Sequence, residues 1–223
     1  MSVRQFDFAE PFFTVKLIEN ETAFTIEDRS ILLNLSQDKI HIERQILGEL
    51  QSAIFVNVGI ASVTKALLVE GLEREPNNEK LFEKIRSHWP SAYEVRGEDR
   101  LKGISHYMSK KIWVDRLGLT MYFSGSVPLN VGLHKDHAFC PVPGFREVHT
   151  QIVGFGKMQQ CRERNVASLY LEEPMAPGTT HRPMYDEDGN YPWHQFETIT
   201  PSVFMAVEML PVGAEPPEIG DKL

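Results

Sequence analysis

The stretch REVHTQIVGFGKMQ, residues 146–159, alternates polar and apolar side chains before it reaches two closely spaced glycines. In a β-strand successive side chains point to opposite faces, so Glu147, His149 and Gln151 project together and the residues between them face the other way. The neighbouring candidate strands are apolar on both faces. The stretch therefore predicts a strand whose polar face points into an enclosed lumen, followed by a turn or bulge at the glycines.

The rest of the carboxyl-terminal half continues this pattern. Beyond Lys111 the hydrophobic period is two, and candidate strands are separated by clusters of Gly, Pro, Asn or Asp. The clearest hairpin signal lies at residues 186–190. Short strands at regular intervals with little helix between them are typical of an antiparallel barrel or sandwich. We therefore assign residues 111–210 to a β-barrel and residues 211–223 to a loose tail rich in Pro and Gly.

The amino-terminal half is predicted to contain strands followed by helices. Residues 1–36 alternate short apolar runs with turn chemistry and are assigned to strands that join the barrel. Residues 37–110 are assigned to a mostly helical subdomain because they contain IERQILGELQSA and VTKALLVEGLERE. A turn at residues 76–78 precedes a further helix that ends at Pro90. The run at residues 53–59 fits a strand equally well. The expected fold class is mainly β with a helical insertion.

The composition excludes several classes of function. The chain has 223 residues, of which 42% are hydrophobic, so it is long enough to fold around its own core. Its net charge is −8 and its 23 Lys and Arg residues are dispersed, which argues against a nucleic-acid or anionic-membrane surface. Asp7 and Glu10 interrupt any apolar leader, so we expect a cytoplasmic protein. Two cysteines, Cys140 and Cys161, predict no disulfide framework. Exposed edge strands favour a homodimer.

Histidines are concentrated in the predicted barrel. Five of the eight lie between His134 and His194. His134 and Asp136 share one strand face, His137 joins them if the strand breaks at the proline-rich loop, and His181 follows a Pro-Gly turn. Imidazoles and carboxylates that converge from neighbouring strands suit Fe, Mn, Ni, Cu or Zn. A single core histidine, hydrogen-bonded to a neighbour, is the alternative interpretation for His149.

Two short motifs resemble those of the cupin superfamily. Glu147 followed by six residues and Gly154 resembles the end of the first cupin motif, and Gly178-Thr-Thr-His181 resembles the core of the second. The resemblance implies an antiparallel barrel that holds one metal, with Glu147 and His181 as ligands. The usual His-x-His pair is absent, because here the spacing is His134-Lys-Asp-His137. The expected metal set is His134, His137, Glu147, His149 and His181. Whether Asp136 or His194 joins this site stays open.

The function expected from these features is that of a metal-dependent enzyme of cupin type acting on a small polar metabolite. Isomerase or lyase chemistry and dioxygenase chemistry, the latter with iron, both fit the ligand types. Glu147, His149 and Gln151 are the catalytic candidates, because a carboxylate or imidazole can move a proton. One alternative is a metabolite-binding or sensory cupin module without catalysis. Another is an Fe(II)/2-oxoglutarate-type oxygenase. The sequence argues against this alternative, because no arginine lies at a suitable distance after His181.

Overall fold

The computed structural model of the chain describes residues 2–125, 129–130, 132–135, 144–184 and 191–216. Outside these residues lie Asp136, His137, Cys140 and residues 186–190, on which several of the sequence predictions depend. Within the described chain, no helix is long and apolar enough to cross a membrane.

The first third of the described chain is built from strands. Strands β1 to β9 lie at Ser2–Phe6, Thr14–Glu21, Phe24–Ile26, Ser30–Asn34, Ile40–Ile42, Gln45–Leu47, Ser52–Phe55, Val58–Ile60 and Val63–Glu70. Five of them form an antiparallel sheet in the order β1-β2-β9-β4-β7, which we call the amino-terminal sheet. The others form two small hairpin-like pairs, β3 with β8 and β5 with β6.

Helices occupy a short middle segment, and strands follow again. Helix α1 spans Asn78–His88 and helix α2 spans Ala92–Arg96, with single 3-10 turns at Asp99–Leu101 and Val166–Ser168. Strands β10 to β18 lie at His106–Met108, Ile112–Val114, Leu117–Ser124, Leu129–Asn130, Arg146–Val153, Gly156–Cys161, Leu169–Met175, Trp193–Thr198 and Ser202–Met209. They form a central sheet, β10-β12-β18-β14 with β11 added to β12, and a third sheet, β13-β17-β15-β16.

The three sheets are stacked around two hydrophobic cores. One face of the central sheet, including Phe123, Met205 and Val148, packs with side chains of the amino-terminal sheet. The opposite face, including Tyr122 and Phe204, packs with side chains of the third sheet. Burying an aromatic side chain of this kind contributes roughly 1.5–3 kcal/mol each. The central sheet is therefore covered on both faces, and its second face lines the space in which the site lies.

The structure confirms a mainly β chain and corrects two parts of the predicted fold. The central and third sheets face each other but are not closed into a barrel within the described residues. The helical subdomain predicted over residues 37–110 is wrong for most of its length, because the first described helix begins at Asn78. The turn before that helix and its end ahead of Pro90 agree with the sequence prediction.

Strand β9 shows why the helix prediction failed. Its sequence, VTKALLVE, is rich in Ala and Leu, which favour a helix in isolation. In the structure β9 is a central strand between β2 and β4, and Val63, Ala66, Leu67 and Leu68 are fully buried. A strand that is covered on both faces has no alternating polar side, so periodicity cannot distinguish it from a buried helix. Packing against two neighbours outweighs the local preference.

Candidate functional site

Strand β14 carries Glu147, His149 and Gln151, and the alternation of its side chains determines which face of the sheet they occupy. Val148 and Ile152 enter the core shared with the amino-terminal sheet, so Glu147, His149 and Gln151 face the third sheet. Glu147 is 5% exposed and Gln151 is fully buried. The Gln151 side-chain amide donates to the backbone carbonyl of Val153 at 2.9 Å. Glu147 and His149 line the pocket described below, whereas Gln151 does not.

Glu147 and His149 form a buried pair on this face. The Oε1 atom of Glu147 lies 3.1 Å from Nε2 of His149. The His149 ring is surrounded by aromatic edges and faces, with Phe204 at 5.2 Å and Phe196 at 5.7 Å between ring centroids. Its Nδ1 atom is buried and has no hydrogen-bond partner among the described residues. When Nε2–H donates to the carboxylate, Nδ1 is the nitrogen that can accept a proton.

His181 is fully buried beside His149, and both of its ring nitrogens are engaged within the protein. Its Nε2 accepts the backbone N–H of His149 at 2.8 Å, and its Nδ1 lies 2.7 Å from the backbone carbonyl of Arg182. Burial, followed by the nearby His149 ring, lowers the pKa of His181 to about 3. The ring is therefore neutral at physiological pH. A metal on either nitrogen would have to displace one of these hydrogen bonds.

His134 and His194 face each other at another side of the pocket. The two residues form an isolated antiparallel bridge through their backbones, and their ring centroids are 4.3 Å apart. Nδ1 of His134 lies 3.0 Å from the carbonyl of Gly132, and Nδ1 of His194 lies 3.0 Å from the carbonyl of Pro192. Because Nδ1 donates to a carbonyl, Nε2 is the atom of each neutral ring that can bind a ligand or a proton.

A second group of side chains, from β10 and β12, also lines the pocket. The His106 ring stacks on Tyr122 at 5.1 Å between centroids, and its Nδ1 lies 2.8 Å from Oγ of Ser124. Burial, followed by the positive charge of Arg96, lowers the pKa of His106 to about 3. Burial also raises the pKa of the Tyr122 hydroxyl. Both groups are therefore neutral at physiological pH and offer hydrogen bonds without charge.

Two arginines reach the same pocket from the segment that contains helix α2. Arg96 is the last residue of α2, and Arg100 lies in the following 3-10 turn. Glu98 lies between them: its Oε1 atom is 2.6 Å from Nη2 of Arg96, and its Oε2 atom is 2.6 Å from Nε of Arg100. Helix α2 begins with a capping box between Ser91 and Glu94, which fixes the start of the segment.

Most of these side chains line one small pocket between the central and third sheets. Its volume is about 60 Å³, which accommodates about four to six water-sized groups. The charged and titratable side chains of its lining are Arg96, Arg100, His106, Tyr122, His134, Glu147, His149 and His194. A pocket that combines a few convergent polar groups with aromatic walls is typical of a small-molecule site.

A buried ion pair lies in the same row of the central sheet as Glu147. Glu208 on β18 is directly opposite Glu147 on β14, and Lys111 pairs with Glu208. The Lys111 ammonium also lies 4.9 Å from the ring centroid of Trp113. The side chains of Lys111 and Glu208 are 5% and 9% exposed. Gly118, opposite Glu208, leaves room for this pair, because a Cβ there would come within 2.9 Å of the carboxylate.

The structure brings together part of the predicted site and adds residues that the sequence did not indicate. His134, Glu147 and His149 line the pocket, and His181 lies behind His149. His137 and Asp136 lie outside the described residues. The residues missed or left open are His106, Arg96, Arg100 and His194. The three-residue strand that carries His106 is too short to show a period, and no sequence signal marks the two arginines.

The predicted five-residue metal set is only partly contained in the described chain, because His137 lies outside it. Within the ranges given above, no group of three or more His, Cys, Asp and Glu side chains is arranged to hold a metal. His134 and His194 supply two imidazoles in a tautomer suited to metal binding, whereas both nitrogens of His181 are already engaged. The described residues therefore do not fit a complete metal centre, and no chemical step below involves a metal.

Comparison with known proteins gives structural likeness without a sequence match. No family model matches the chain, and no curated protein matches it. Similar solved structures include a sugar phosphate isomerase of the cupin superfamily from Silicibacter pomeroyi, 14% identical over 56% of this chain and 68% of the other, with a TM-score of 0.35. A cupin 2 conserved barrel domain protein from Leptotrichia buccalis is 11% identical over 94% and 88% of the two chains, with a TM-score of 0.33.

Proteins with other roles show the same degree of likeness. An HTH_3 family transcriptional regulator from Vibrio cholerae is 12% identical over 63% of this chain and 62% of the other, with a TM-score of 0.36. Cupin-superfamily proteins are thus among the solved structures that this chain resembles. These similar structures include enzymes and regulators alike, so the function is inferred from the pocket itself.

Proposed function

We propose that the protein is an enzyme that binds a small polar metabolite in the pocket between the central and third sheets and moves a proton with the Glu147–His149 pair. The observation that carries the proposal is the 3.1 Å contact between the carboxylate and the imidazole in a buried, aromatic-walled pocket. An imidazole oriented by a carboxylate can act as a general base. The reaction class is proton abstraction from, or return to, a bound metabolite.

The arrangement assigns a role to each group near the pair. Glu147 orients the His149 ring and stabilises the imidazolium that forms when Nδ1 takes a proton. Phe196 and Phe204 exclude water from the ring, which strengthens the contact between the two charges. His181 holds the backbone of β14 at His149 and so fixes the position of the base. A proton that His149 takes from carbon and returns to the same or a neighbouring carbon gives isomerase chemistry, whereas a proton that it passes to a departing group, as the bond from carbon to that group breaks, gives lyase chemistry.

The experiment first identifies ligands by thermal shift with a panel of small polar metabolites, and then follows each ligand by proton NMR in deuterated buffer. The wild-type protein is expected to exchange a C–H of the ligand for deuterium or to convert the ligand to product. Glu147→Gln should keep ligand binding and slow this exchange by about 10²–10⁴-fold. The matched control is Glu79→Gln on the exposed face of helix α1, which should leave the rate unchanged.

Two results would contradict the proposal. If Glu147→Gln exchanged the ligand proton at the wild-type rate, the pair would have no catalytic role. If ligands bound tightly but showed neither exchange nor turnover in the wild-type protein, the pocket would belong to a metabolite-binding module without catalysis. Some of the similar solved structures are transcriptional regulators, so that module is the alternative which the experiment distinguishes.

A further inference from the structure

The pocket is lined by chemically different groups. Glu147 and His149 line it from β14, and Arg96 and Arg100 line it from the α2 segment, which we call the Arg96–Arg100 end. Among the described residues that line the pocket, the charged groups are therefore two guanidiniums and one carboxylate. In an acidic protein, with a net charge of −8, two guanidiniums line one small cavity, and a single carboxylate, that of Glu98, pairs with both of them.

The groups beside the arginines are suited to the same kind of ligand. His106 and Tyr122 are stacked on each other and line the pocket with Arg96. Both are neutral, because burial holds the pKa of His106 near 3 and raises that of Tyr122. A neutral hydroxyl and imidazole donate or accept hydrogen bonds without repelling an anion. Guanidinium groups recognise carboxylate and phosphate oxygens through paired N–H donors.

We propose that the Arg96–Arg100 end of the pocket is an anion subsite, and that the ligand of this protein is a small carboxylic acid bound by its carboxylate. This inference rests on the proposed function, because the carboxylate would hold the rest of the molecule toward Glu147 and His149. The pocket is small, with a volume of about 60 Å³, which favours a short hydroxy acid or oxo acid as the ligand.

Helix α2 makes the subsite a built feature of the fold. Ala92 at its start and Leu101 after it are buried in the same core as Tyr122 and Phe204. The capping box and the shared carboxylate of Glu98 fix both ends of the segment, so Arg96 is held in place before any ligand binds. A guanidinium already held in position loses less side-chain entropy on binding than a free arginine on the surface.

The test compares acids with amides of the same shape. Lactate and lactamide have the same number of non-hydrogen atoms and differ in charge, as do acetate and acetamide. Binding to the full chain is measured by isothermal titration calorimetry, with inorganic phosphate as a third probe. Lactate or acetate should bind at least about tenfold more tightly than its amide, which corresponds to one charge-assisted contact. Phosphate, which lacks the planar carboxylate, should bind more weakly than lactate.

Variants locate the subsite. Arg96→Met keeps the buried aliphatic stem and should weaken lactate binding at least about tenfold, and Arg96→Lys should restore part of it. Arg29→Met removes an exposed arginine outside the pocket and should change nothing. If Arg96→Met does not fold in a thermal melt, Arg100→Met, at a more exposed position, gives the same comparison.

The outcomes separate this inference from the proposed function. Amides that bind as tightly as their acids, binding unaffected in both arginine variants, or no binding of any acid would overturn the anion subsite. Phosphate binding more tightly than lactate would overturn the carboxylate assignment. If a neutral ligand binds and loses its proton exchange in Glu147→Gln, the proposed function stands without the subsite. If lactate binds through Arg96 and no ligand ever exchanges a proton, the subsite stands and the catalytic proposal fails.

Discussion

Acidification should destabilise the protein through two buried histidines, His181 and His106. Both have a pKa of about 3 in the folded protein, chiefly because of burial. Both return to about 6.5 when the chain unfolds. The unfolded chain therefore binds more protons than the folded one between pH 3 and 6.5. The stability that depends on the neutral rings is fully present above about pH 6.5, falls as the pH drops through that value, and is lost progressively down to about pH 3.

The size of the effect follows from the proton balance. At pH 7.5 an unfolded imidazole is mostly neutral, and at pH 5.5 it is mostly charged, whereas the buried ring is neutral at both values. Each such histidine lowers the free energy of unfolding by about 1.4 kcal/mol across this interval, or about 3 kcal/mol for the two. Carboxylates contribute little here, because they titrate mainly below about pH 5.

Urea unfolding at pH 7.5 and pH 5.5 measures the loss, and variants assign it. His181→Gln keeps an acceptor for the His149 backbone N–H and removes the titrating ring, so its pH-dependent loss should be about 1.4 kcal/mol smaller than that of the wild type. His88→Gln changes an exposed histidine and should retain the full loss. An unchanged pH dependence in His181→Gln would show that His181 is not a buried neutral ring and would refute the reasoning.

Four further predictions concern the core, a turn, the metal and the assembly. Lys111→Met leaves a buried carboxylate without its partner and should cost about 3–5 kcal/mol in urea unfolding, whereas Lys84→Met, at an exposed pair, should cost less than about 1 kcal/mol. Gly154→Ala should lower the free energy of unfolding by at least about 1–3 kcal/mol, because φ of Gly154 is +77° and the new Cβ would lie 2.2 Å from a backbone oxygen. At Gly59 a new Cβ would meet nothing within 4 Å, so Gly59→Ala should be near neutral. The sequence predicts about one equivalent of divalent metal in protein purified without a metal-affinity tag, and elemental analysis that found less than about a tenth of an equivalent would contradict it. Light scattering should give a homodimer, and a mass near the chain's 25.5 kDa would count against that prediction.

The sequence predicted the polar face of β14 well and the middle of the chain poorly, for one physical reason. Around Glu147 and His149 one face is polar and the other is apolar, so a period of two is visible and determines which side chains share a space. Residues 66–69 are buried on both faces, and nothing in their order distinguishes a strand from a helix. The neighbours that decide the outcome, β2 and β4, are distant in sequence.

The other pocket residues could not be predicted from local sequence patterns, because they meet only through tertiary contacts. Arg96 and His106 belong to segments that looked helical and unremarkable in sequence, and they reach the site because the α2 segment packs its apolar residues into the core beneath Tyr122. Residues from different segments meet only through that packing. The sequence therefore indicated the side of the pocket that β14 forms. The arginines of the α2 segment and His106 could be identified as pocket residues only from the tertiary structure.

The position of a histidine does not by itself determine its chemical role, as His181 shows. The structure has this residue next to β14, because the Pro-Gly turn brings the chain back to that strand through the Thr150–Thr180 bridge. Its role depends on the partners of its two nitrogens, which are the backbone N–H of His149 and a backbone carbonyl. Because both nitrogens of His181 are hydrogen-bonded, this ring contributes to the site by fixing the backbone of His149. The ring of His194 instead lines the pocket itself, with its Nδ1 held by the carbonyl of Pro192. The chemistry of this pocket therefore depends on which ring nitrogen each backbone carbonyl engages, and that is decided by the geometry of the strands.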